Sequence, residues 1–208
     1  MNIDALLQAE THFFQRYPGG FDDPALLPSV KKHRVEKMVA QCQEAFATTA
    51  FTHTEEVVQN WIKIVGRSSM VSLFEKPKFK DCLNSLSPQD KQQAVEALYE
   101  QLHGDAELGL NTLVTLFERH KMAKWSILSV VPAYFRPSVE VFVKPTTAKG
   151  VIAHFELDGL VYHSRPSWSF YQAYRAEIRA MKEVVDVNLA PNNAAFSGFL
   201  MMSISGLK

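Results

Sequence analysis

Val139-Glu140-Val141-Phe142-Val143-Lys144-Pro145-Thr146-Thr147 is the stretch on which the fold class turns. Valines at alternate positions give it the two-residue period of a half-buried strand. Lys144-Pro145 then reads as a strand end running into a helix expected near Thr147–Leu157. Towards the C-terminus, Asp158-Gly159 reads as a turn and Leu160-Val161-Tyr162 as a brief extended piece. Pro191-Asn192-Asn193 is a second turn signal, ahead of an apolar run, Ala195–Ile204, that fits a buried strand pairing with the first. Between them a long helix is expected from about Ser167, with Tyr171, Tyr174, Ile178, Met181 and Val185 along one seam. Towards the N-terminus, Pro132 and Pro137 punctuate the chain and end the helical period beyond Trp125.

The residues before that point read as helices. Ile3, Leu6, Leu7, Phe13, Phe14 and Tyr17 fit an amphipathic helix stopped by Pro18-Gly19-Gly20. A second helix is expected over Ser29–Ala47, burying Val35, Met38, Val39, Cys42 and Phe46. Thr52 and Glu55 have capping-box spacing, and the helix after them carries enough apolar surface, from Val57 to Val65, for a central position. Phe79, Cys82, Leu83 and Leu86 mark a short helix. Ser87-Pro88-Gln89-Asp90 caps the next, Gly104 stops it, and Asp105 caps its partner, which predicts a helical hairpin. The expectation is an α+β fold: one predominantly helical domain over 1–208, helical over about 1–131 and mixed α/β over about 132–208, with a small C-terminal sheet of two or three strands.

Composition sets outer bounds on function. With 208 residues, 47% apolar and 21% charged, the chain is long enough to bury a substantial core. No apolar run reaches the roughly 20 residues that cross a bilayer, and the N-terminus lacks the basic-then-apolar layout of a signal peptide, so no membrane partner is expected. Cys42 and Cys82 each fall on an apolar helical stripe and read as buried, reduced thiols in a cytoplasm. The net charge is zero but unevenly spread. Residues 1–118 hold 11 Lys+Arg against 16 Asp+Glu, a net −5, and residues 119–208 hold 11 against 6, a net +5. Folding of one half against the other is the first explanation, and an acidic partner the second.

The phrases Phe142-Val143-Lys144-Pro145-Thr146-Thr147, Leu160-Val161-Tyr162 and Arg165-Pro166-Ser167-Trp168, followed by Phe170-Tyr171, resemble recurring phrases of bacterial cytosolic proteins that have no assigned activity. The resemblance implies a bacterial, cytoplasmic setting and carries over no functional residue.

Three clusters are candidates for chemistry. Lys144, Thr146, Thr147 and Lys149 gather hydroxyls and ammonium groups at a helix start, where amides without internal partners receive anions. The plain alternative is a threonine cap between solvated lysines. Lys31, Lys32, Arg34 and Lys37 fall in the first turns of the expected second helix, where positive charge opposes the macrodipole unless an acid or a bound polyanion compensates. Tyr162, Arg165, Trp168 and Phe170 mix rings and a guanidinium as in stacking platforms for single-stranded nucleic acid, although such rings more often belong to a core.

Seven histidines are dispersed without ligand spacing, so no metal and no cofactor is expected, and no catalytic residue is assigned. The function expected is non-enzymatic binding or scaffolding in a bacterial cytoplasm, with a protein partner or a homo-oligomer. A nucleic-acid-associated protein is one alternative, and an enzyme acting on a small anionic substrate is another.

Overall fold

A computed structural model describes residues 1–205, with the side chains of Ser29 and Ser205 outside the described set. The chain enters as α1 (Ile3–Arg16), capped by the Asn2 side chain on Ala5 N, and turns through a 3₁₀ segment at Gly20–Asp22. Then follow α2 (Leu27–His33), α3 (Val35–Ala45), α4 (Thr54–Arg67), α5 (Glu75–Ser85), α6 (Pro88–His103) and α7 (Ala106–Glu118). The remainder is α8 (Trp125–Phe135), α9 (Pro145–His154), α10 (Trp168–Val184) and α11 (Asn193–Ser205). Among the described residues there is no strand, so the expected α+β fold with a C-terminal sheet is corrected to an all-helical one.

The deciding stretch fails to form a strand because it has no strand to pair with. Its expected partner, Ala195–Ile204, lies in α11. Asn192 Oδ1 accepts from Ala195 N there, and Phe196, Phe199 and Leu200 bury one helical face. Leu160–Tyr162 is likewise irregular, with Val161 exposed. The segment 140–143 therefore runs through the interior with no regular structure, and side chains take the place of a ladder. Val143 N donates to Ser129 Oγ at 2.9 Å, Tyr171 OH to the Val141 carbonyl at 3.2 Å, and Asn193 Nδ2 to the Glu140 carbonyl at 2.8 Å.

Pro132 does not end the helical region at 131 either: α8 continues through it to Phe135. A proline there leaves the carbonyl four residues earlier without its donor. The buried Gln101 of α6 supplies one, its Nε2 donating to Leu128 O at 3.1 Å. Every residue of α8 from Trp125 to Tyr134 is buried, so the helix shows no polar face for its period to be read against.

Around α8 pack α3, α4, α6 and α7, and α4 also touches α3, α5 and α6, which makes it central as expected. Trp61 of α4, Phe79 of α5 and Phe117 of α7 meet at ring distances of 5.5–6.0 Å. The hairpin of α6 and α7 forms with its caps in place: Ser87 Oγ accepts from Asp90 N, and Asp105 Oδ1 accepts from Glu107 N and Leu108 N. No capping box forms at α4, where His53 is the N-cap and offers no side-chain bond. Both cysteines are free and buried, and burial pushes the Cys82 thiol up to about 11 and Cys42 higher still.

Candidate anion-binding groove

The expected helix over Ser29–Ala47 is broken at Arg34, which adopts a left-handed conformation (φ 49°, ψ 38°). The break reverses the electrostatics of the basic run. Lys31, Lys32 and His33 occupy the last turn of α2, where positive charge is favoured, and only Arg34 and Lys37 stand at the start of α3. The corner turns several of these side chains towards one concavity of about 370 Å³. Lys32, His33, Arg34 and Lys37 line it together with Met38, Gln41 and Arg67, the last residue of α4. Lys31 is exposed but lies outside it.

No carboxylate lines this groove, and among the described residues none of Lys32, Arg34, Lys37 and Arg67 is in an ion pair. His33 Nδ1 lies 2.8 Å from Ser69 Oγ. The His33 pKa is lowered, first by burial and then by the charges of Lys32 and Lys144. Lys144, distant in sequence, therefore lies within electrostatic range of His33. Lys144 itself does not line the groove.

Nor does the rest of the Lys144–Lys149 turn. Thr147 is buried, Thr146 is exposed, and neither caps α9, which has Pro145 in its first turn and no side-chain cap. Lys149 sits over the Tyr162 ring at 5.0 Å. The aromatic platform is also dispersed. Phe170 is 6% exposed, stacked on Tyr174 at 5.6 Å and tilted on Trp125 at 5.1 Å. Tyr162 meets Phe170 edge-on, and half-buried Trp168 carries the Arg175 guanidinium at 5.5 Å. Arg165 donates twice to the Glu118 carboxylate, at 2.6 and 3.1 Å.

A second polar cluster escapes the sequence reading altogether. Glu140, 2% exposed, accepts from Arg136 and Arg175 at 2.9 Å and from Tyr171 OH at 2.9 Å. Burial and the adjacent Glu140 charge raise the Tyr171 pKa, which keeps its hydroxyl a donor. Because Asn193 holds the Glu140 carbonyl and accepts from Lys182 Nζ, the cluster ties the irregular segment to α10 and α11. Both carboxylate oxygens are taken by internal donors, so it is a clasp. The signal available in sequence was the Arg136–Glu140 spacing of one helical turn. Arg67 was missed because it stands alone, thirty residues beyond Lys37.

Among the described residues, no three His, Cys, Asp or Glu side chains converge on a metal position. None of the helices there is long and apolar enough to cross a membrane. No family model, curated protein or solved structure matches the chain.

Proposed function

We propose that this protein binds an anionic, phosphate-bearing ligand without transforming it, and that the ligand sits in the groove between α2, α3 and α4. One observation carries the reading. Cations from two separate regions line a single concavity with no acid among them, while Glu55, Glu75, Asp90, Glu118 and Glu140 are ion-paired elsewhere. Uncompensated like charges repel, and a bound anion removes that cost. The nucleic-acid alternative keeps its electrostatic support but loses the stacking platform, since Phe170 is core and Tyr162 and Trp168 are already covered by cations.

Heparin chromatography and anisotropy with labelled inorganic polyphosphate test the proposal. The wild type is expected to be retained at low salt and released as salt rises, and the double variant Lys32→Glu/Lys37→Glu to flow through. Wild-type protein that ignores both probes at low salt overturns it.

The Ser69–His33 contact favours a second reading, an enzyme in which His33 takes the Ser69 proton as the serine oxygen attacks an anionic ester and returns it to the alcohol that departs, water then releasing the acid from Ser69. Hydrolysis of p-nitrophenyl esters or phosphates that Ser69→Ala abolishes, with heparin retention unchanged, would establish it over simple binding.

A further inference from the structure

We infer that Leu73 and Phe74 form an apolar tip that seats the protein on an anionic lipid bilayer, with the groove cations facing the headgroups. The inference rests on the anion-binding reading above and names the surface that presents the anion. Leu73 and Phe74 are 78% and 82% exposed, adjacent, and the two most exposed large apolar side chains described. Their exposure does not come from a loose loop. Val71 and Phe79 on either side are buried, the Ser72 carbonyl accepts from Glu75 N and Lys76 N, and Ser72 Oγ accepts from Phe74 N at 3.3 Å. Glu75 is itself tied down, accepting from Ser126 Oγ at 2.7 Å and pairing with Lys124 at 3.4 Å. The backbone is held while the two side chains point to solvent.

The loop that carries the tip starts at the groove's edge. Arg67 lines the groove, Ser69 touches His33, and at about 3.5 Å per residue Leu73 lies no more than about 14 Å from Ser69. On its other flank stand Lys76 and Lys78, and neither is ion-paired among the described residues. The acid next to the tip in sequence, Glu75, is paired with Lys124. A short apolar anchor holds a bilayer weakly alone, and a basic patch holds it only while salt is low; together they give the two signals stable surface attachment requires. A spanning helix is not needed.

Sedimentation of the full chain with vesicles of phosphatidylcholine, alone or mixed with phosphatidylglycerol, tests the inference. The wild type is expected to sediment with the mixed vesicles only, and less so as salt rises. Leu73→Ser/Phe74→Ser, which alters only exposed side chains and should keep the wild-type circular dichroism, is expected to lose about tenfold in partitioning while eluting normally from heparin. Lys32→Glu/Lys37→Glu is expected to lose both. Wild-type protein that binds heparin yet stays in the supernatant with mixed vesicles overturns the membrane inference and leaves the anion reading standing. Retention on neither overturns both, and a Leu73→Ser/Phe74→Ser variant that sediments like the wild type removes the tip's role.

Discussion

His33 is the residue at which charge, burial and ligand meet. It faces Lys32 on its own helix, Lys144 across from it, and Arg34, Lys37 and Arg67 around the groove. Its pKa in the fold lies below the ordinary 6.5, so the unfolded chain takes up the proton first. Stability contributed by the neutral ring is therefore complete above pH 6.5 and is lost as pH falls through the folded value. Anion binding has the opposite sign: a bound anion offsets Lys32 and Lys144, favours protonated His33, and so tightens as pH falls. Urea midpoints and polyphosphate titrations at pH 8 and pH 5.5 should show both trends, and His33→Gln should flatten both. The residue types of the groove were legible in the Lys31–Lys37 run, but its shape was not. The left-handed Arg34 that bends the run belongs to no residue-type preference, since an arginine pays a steric cost there.

At the scale of elements, local chemistry was read correctly where it suffices. The caps at Ser87 and Asp105 bind their own amides, so four consecutive residues predict them. Close contact between α6 and α7 depends on Gly109, where a Cβ would stand 2.5 Å from Ala97 O and 2.8 Å from Gln101 Cα. Those are backbone atoms of α6 and cannot rotate away. Gly109→Ala is expected to cost about 1–3 kcal/mol by chemical denaturation despite alanine's better helix propensity. Gly66→Ala, with open space around its Cβ in α4, is expected to gain about 0.5–1 kcal/mol. Of the elements misread, α11 and the segment 139–143 are settled by groups distant in sequence, whereas α8 is buried along nearly its whole length. Periodicity arises from a boundary between core and water, and a segment with no such boundary has no period to read.

For the whole molecule, the uneven charge is answered largely within the fold. Arg119–Asp90, Lys124–Glu75 and Arg165–Glu118 each join a cation of the basic half to an acid of the acidic half. The basic groove is a departure from this pattern: its cations belong to the acidic half, and among the described residues none of them pairs with an acid of either half. Holding the C-terminal helices to the rest is the Glu140 clasp. Glu140→Ala would leave Arg136 and Arg175 facing each other without their carboxylate and Tyr171 without its acceptor. A loss of about 3 kcal/mol in urea unfolding is expected, since breaking a buried ion pair strands its partner. An unchanged midpoint would mean the clasp is ornamental to stability.

Sequence alone determined the caps at Ser87 and Asp105, the α6–α7 hairpin, the burial of both cysteines and the seam of α10, because each is specified by residues within a few positions of one another. Only the tertiary structure decided that Val139–Val143 is not a strand, that α8 passes through Pro132, and that Lys144 comes within electrostatic range of His33 while Lys149 sits over Tyr162. Those outcomes depend on which distant group satisfies a buried backbone atom or shares a surface with a charge. Gln101 on Leu128, Ser129 on Val143 and Asn193 on Glu140 exist only once the chain has folded back on itself.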